Sequence, residues 1–305
     1  MKTTKSTKNT KNTSNKKRRW LPLFLCLFLL AAAGGVFAVS KVKPDWLYLA
    51  RQSVTGLFSS AEFEAFTPEA ETLQTASAEE LTQGAYGCIY GTELFLVNED
   101  HPLPAGYTPS LITYQDTEVS MSPLLEEPYR RLSEDIAARF QDTLYIRSSY
   151  RSAEEQAAEK EEQPAVAAAS GASEHETGMA LDVYIPYYGG YGFLKTDAGQ
   201  YVNSHCWEYG FIIRYPFLKT GSTGIPFEPW HLRYVGLPHA EIMEKNSWTL
   251  EEYFERLVPG NFYRSGNYWI SRQEGPTLTW PATESDFHIS PDNQGGYVLW
   301  GTEQK

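Results

Sequence analysis

Apolar residues recur at helical spacing through Leu132, Ile136, Ala137 and Phe140, which predicts a helix over residues 127–140. A short strand over 144–146 then runs into the polar stretch 147–152. A second helix, 153–163, is stopped by Pro164, and the Ala/Gly/Ser-rich run to Ala172 reads as a loop. Residues 180–185 (ALDVYI) read as a buried strand carrying one carboxylate, Asp182. A helix over 199–209, a strand over 210–215, a Gly/Thr-rich loop over 219–224 and a short helix over 250–257 follow. Beyond them lies a Gly/Trp/Tyr-rich tail of strands. Upstream, 93–98 (ELFLVN) is a strand candidate, followed by a Pro/Gly-punctuated loop. Helices alternating with short strands in this order predict an α+β fold with an antiparallel sheet.

The N-terminal pattern differs. Residues 20–39 are uncharged and almost wholly apolar, about the 20 residues a bilayer-spanning helix needs. The basic run Lys16, Lys17, Arg18, Arg19 stands before it, which by the positive-inside rule keeps the N-terminus cytoplasmic and the body outside the cell. A cleaved signal peptide ending near Ala38 is the competing reading; the length of the run favours an anchor. Trp46, Leu47, Leu49, Ala50, Val54, Leu57 and Phe58 fit one face of a short helix near the membrane. The expected division is a basic tail (1–19), a transmembrane anchor (20–39), a stalk (40–85), a catalytic domain (86–245) and a C-terminal extension (246–305).

Charge sharpens this picture. The first 19 residues carry eight Lys/Arg and no acid, so beyond Arg19 the remaining 18 basic residues face 38 acidic ones, a net −20. A body that acidic is a poor partner for nucleic acid. Cys88 and Cys206 would be able to pair in an oxidising compartment, but two buried free thiols are the simpler expectation.

Two stretches carry the chemistry: SEHETGMALD (173–182) and FEPWHLRY (227–234). His175, Asp182 and His231 offer the two imidazoles and one carboxylate that suit a catalytic zinc with one position left to water. Glu228 stands three residues before His231 as candidate general base, and Arg151 is the candidate electrophile facing a developing oxyanion. The zinc-protease spacing His-Glu-x-x-His is absent, because position 179 is Met. An ionised Asp182 on a buried strand must be paired or metal-bound, and a salt bridge to Arg214 or Arg233 is the alternative to a metal. Ser40-Lys41-Val42-Lys43, Lys219-Thr220-Gly221 and Ser265-Gly266-Asn267 echo a serine-peptidase set, but their order is wrong and Ser40 abuts the apolar run.

Taken together, Tyr150-Arg151-Ser152, the 173–182 block and Glu228-Pro229-Trp230-His231 resemble the signature blocks of the VanY-type D-alanyl-D-alanine carboxypeptidases, peptidase family M15, in order from about Leu94 to Gly236. The resemblance implies the α+β zinc fold shared by D,D-peptidases and the hedgehog signalling domain. It implies one Zn2+ held by His175, Asp182 and His231, with Glu228 as base and then acid. Arg151 would polarise the scissile carbonyl, and Ser173 and Ser149 would help hold the substrate. The implied reaction removes terminal D-Ala from peptidoglycan stem peptides. Rival readings are an L,D-carboxypeptidase or endopeptidase on the same fold, and a non-catalytic zinc-containing cell-wall-binding module.

Overall fold

The computed structural model describes residues 43–55, 60–164, 167–282 and 287–303. The chain divides into two units, 1–47 and 48–305. The expected anchor and basic tail lie outside the described residues. Among the described residues no helix is long and apolar enough to cross a membrane. The short helix expected from Trp46 onward is present as α1 (Pro44–Thr55); Leu57 and Phe58 lie outside the described residues.

The further helices are α2 (Ala78–Thr82), α3 (Glu126–Phe140), α4 (Ala153–Glu162), α5 (Asp197–His205), α6 (Thr220–Thr223), α7 (His239–Asn246) and α8 (Leu250–Arg256). The strands, in chain order, are β1 (Glu64–Phe66), β2 (Leu73–Ser77), β3 (Cys88–Tyr90), β4 (Ile112–Thr113), β5 (Ser120–Met121), β6 (Tyr145–Ser148) and β7 (Ala180–Tyr184). They continue with β8 (Phe211–Ile213), β9 (His231–Tyr234), β10 (Phe262–Ser265), β11 (Tyr268–Glu274), β12 (Thr277–Pro281), β13 (Phe287–Pro291) and β14 (Gly296–Thr302).

A four-stranded antiparallel sheet, in order β6-β7-β9-β8, carries the two chemical blocks. Helix α3 contributes Tyr129, Leu132 and Ile136 to one core with Leu181, Val183 and Leu232 of this sheet; of the spacing read from the sequence, Leu132 and Ile136 are buried, Phe140 is half-buried and Ala137 is exposed. Helix α4 begins at a capping box in which Ser152 and Glu155 satisfy each other's backbone donors. Residues 219–224, expected as a loop, hold the single helical turn α6.

A second sheet, in order β1-β10-β11-β14-β13-β3, is mixed, because β13 and β3 run parallel. It takes its strands from both sides of the catalytic blocks. This corrects the stalk expected over 40–85: β1 pairs with β10, β2 pairs with β12, and α2 follows β2 under its own capping box. The reason is apolar burial. Ala76, Ala78, Leu81 and Cys88 share one core with Trp269, Leu278, Trp280, Phe287 and Leu299.

Residues 93–98 are the other correction. Leu94, Phe95, Leu96 and Val97 are buried, but the segment forms no strand. Its backbone groups bond elsewhere: Leu94 N to Ser290 Oγ, Leu96 N to Asp292 O, and the Glu93 and Phe95 carbonyls to the Arg233 guanidinium. Cys88 and Cys206 are buried free thiols.

Candidate active site

Asp182 and His231 are directly opposed across β7 and β9, which puts both side chains on one face of the sheet. On its other side Asp182 is paired with Ser148 of β6, at a register irregularity. His175 arrives from the short 3-10 turn Glu174–Thr177, immediately before β7. That turn is closed by Gly178 at φ 72°, where an added Cβ would lie 2.7 Å from Leu111 Cδ2 and 3.1 Å from Ser122 N. Only glycine fits both the dihedral and the space. One ligand atom from each of His175, Asp182 and His231 lies within 4.8 Å of the other two.

The donor set fits a cation. His175 Nδ1 is 2.7 Å from the Ser149 carbonyl, to which it must donate, so its lone pair is on Nε2. That nitrogen is 3.4 Å from Asp182 Oδ2. Asp182 Oδ1 is 3.0 Å from His231 Nδ1 and makes no hydrogen bond. A ring nitrogen this close to a carboxylate oxygen needs a positive charge, a proton or a metal ion, between them. Burial by itself would raise Asp182, yet the two imidazoles outweigh it and hold the carboxyl well below its ordinary range. Burial lowers His175. It opposes the charge on His231 as well, but the neighbouring carboxylates of Asp182 and Glu174 raise that imidazole to about 9. Metal binding here therefore displaces a proton.

Glu228 Oε2 is 3.8 Å from His231 Nδ1. Its backbone N–H donates to Tyr215 O, its carbonyl accepts from His231 N, and buried Asn203 donates to Pro229 O, so the turn is fixed at three points. Burial pushes the Glu228 carboxyl up to about 7; His231 opposes the shift and Asp182 adds to it. Arg151 Nη2 is 3.8 Å from Asp182 Oδ2, and Nη1 donates to Gln156 Oε1. Gln156 in turn donates to Ala168 O. Buried Gln156 went unnoticed in the sequence, where nothing separates it from its polar neighbours on α4. Of the two serines, Ser149 supplies its carbonyl to His175, while Ser173 is buried beside the turn and makes no cap bond to it.

The alternative partner for Asp182 is also answered. Arg214 and Arg233 are fully buried and pair with Glu174, at 2.6 and 2.8 Å. Neither takes Asp182. Arg214, directly after the apolar strand β8, and Arg233, within β9, were the signal that a buried carboxylate must exist. Tyr215 completes the surroundings, its ring 4.9 Å from that of His231. Lys219 of the serine-peptidase echo pairs with Glu252.

Residues 119–237 match the family model described as "VanY: D-alanyl-D-alanine carboxypeptidase". A D-alanyl-D-alanine carboxypeptidase of Enterococcus faecium is 33% identical over 237 residues, covering 69% of this chain and 75% of the relative. The chain belongs to the VanY family of D-alanyl-D-alanine carboxypeptidases. It is thus a peptidase. The bifunctional D-Ala-D-Ala dipeptidase and carboxypeptidase VanXYC of Enterococcus gallinarum is 34% identical, over 54% of this chain and 95% of its own. The solved D,D-dipeptidase VanXYg, crystallised with a D-Ala-D-Ala phosphinate analogue, superposes with a TM-score of 0.58 at 26% identity, over 76% of this VanY-family chain and 98% of the other. The family match spans every candidate site residue from Ser149 to His231.

Proposed function

We propose that this VanY-family enzyme removes the terminal D-alanine from peptidoglycan stem peptides with one Zn2+ held by His175, Asp182 and His231. The observation that carries the reading is Glu228, which overlooks the converging ligand atoms with its carboxyl poised near 7. A zinc bound there would supply a water acidified to about pKa 7 and would polarise the scissile carbonyl. Glu228 would take the proton from that water and return it to the departing amine of D-alanine. Arg151, braced by Gln156, faces the carbonyl oxygen as it gains negative charge. Ser149, whose carbonyl holds His175, and Ser173, two residues before that histidine, would orient the peptide. A purely structural zinc would need neither a base nor an open position, which argues against a non-catalytic module.

The basic tail and apolar run of residues 1–39 support a membrane anchor with the enzyme outside the cell. Residues 86–245 would carry the chemistry, and 246–305 would brace it through the shared sheet.

The test is hydrolysis of a stem pentapeptide and a tetrapeptide, with and without chelator. Release of D-Ala from the pentapeptide alone, abolished by chelator and restored by zinc, is expected. Cleavage of the tetrapeptide instead would convert the reading to an L,D-carboxypeptidase. Glu228→Gln is expected to bind zinc and lose about 10²–10⁴ in kcat, whereas His231→Ala loses the metal. Near-normal turnover by Glu228→Gln would falsify the base assignment.

A further inference from the structure

Glu174 lies between Ser173 and the ligand His175, yet its own carboxylate points to the other imidazole. It is completely buried, and its two oxygens have different surroundings. Oε1 accepts from Arg214 Nε at 2.6 Å and from Arg233 Nη1 at 2.8 Å. Oε2 has no hydrogen-bond partner and lies 3.7 Å from His231 Nε2, a buried nitrogen that also has none. The two arginines are fixed in turn. Arg214 forks onto Glu251, and Arg233 holds the carbonyls of Glu93 and Phe95.

We infer that Glu174 is a positioning residue that sets the tautomer of His231, and so makes Nδ1 the nitrogen that binds the metal. This rests on the zinc reading above. A neutral imidazole has one ring proton. On Nε2 that proton meets a carboxylate; on Nδ1 it would leave the Nε2 lone pair against the same carboxylate. Glu174 selects the first arrangement and frees the Nδ1 lone pair, which faces Asp182 at 3.0 Å. A ligating histidine whose second nitrogen is held by a carboxylate is oriented and made more basic. His175 solves the same problem with a backbone carbonyl. Glu174 solves it with a carboxylate shared by two guanidiniums. The two arginines do more than neutralise it, because they fix which oxygen is left for the imidazole.

Glu174→Gln tests this. The arginines demand an oxygen at the Oε1 position, which turns the amide NH2 toward His231 Nε2 and favours the wrong tautomer. Zinc affinity, measured by chelator competition, is expected to fall about 10–100-fold. Glu251→Gln is the control, since it breaks the far side of the Arg214 pair without touching His231. It should lower the melting temperature and leave zinc affinity unchanged. Equal loss of zinc affinity in both variants would make Glu174 merely structural and overturn the inference. If Glu174→Gln binds zinc as tightly as wild type while His231→Ala does not, the inference fails and the metal centre stands. A wild type that takes up no zinc overturns both. Should Glu174→Gln not fold, ¹⁵N NMR of the zinc-loaded wild type decides: His231 must carry its proton on Nε2, and a proton on Nδ1 refutes the proposal.

Discussion

Glu228 is held at about 7 by burial, and a general base must be ionised to work. Activity therefore belongs to the alkaline side of that titration and is lost as the pH falls. A bound dication pulls the carboxylate down, so the acid limb of kcat/KM is expected at or below pH 7. It should steepen to roughly tenfold per pH unit, and a pH–rate profile measures it directly. A flat profile from pH 5 to 8 would remove Glu228 from the proton path. Arg151→Ala is expected to cost about 10²–10³ in kcat with zinc retained. Gln156→Ala should show a smaller loss in the same parameter, because it removes only the brace. At this scale the sequence was informative. His175, Asp182, His231 and Glu228 were legible because chemistry demands those residue types, and the structure brings them together. Glu174 and Gln156 were not, because their importance lies in which atom is left unsatisfied after others are paired.

Among the elements, α3 could be read from its helical spacing and β7 as a short buried run. Residues 93–98 could not. A run of four apolar residues reads as a strand, but here side chains of other elements hold its backbone groups. Glu93 heads that run, and burial pushes its carboxyl up to about 7 while Arg233 opposes the shift. A carboxyl whose folded value lies above its unfolded one costs stability when ionised. The cost is absent near pH 4 and fully present above pH 7. Glu93→Gln should thus stabilise the protein by on the order of 1–3 kcal/mol at pH 8 and by little at pH 4. Urea melts at the two pH values check it, and an equal effect at both would contradict the burial argument.

For the whole molecule, the sequence misjudged what lies outside the chemical blocks. Half of the apolar residues in 60–88 are alanine, and the segment's partners, such as Thr279 opposite Thr75, are some two hundred residues away, so no local pattern reveals the pairing. A chain begun at residue 86 would lose β1, β2 and α2 and uncover Trp280 and Leu278. It is expected to aggregate or melt early, whereas one begun at residue 60 melts cooperatively; calorimetry of the two separates these outcomes. The mixed sheet has a kinetic consequence as well. Strand β14 sits between β11 and β13, and β3 reaches the sheet only through β13. Assembly of that sheet must wait for nearly the entire described polypeptide to be available, and closing so distant a pairing is slow. The catalytic sheet thus shares its chain with a second sheet in which the last of the described strands lies in the interior.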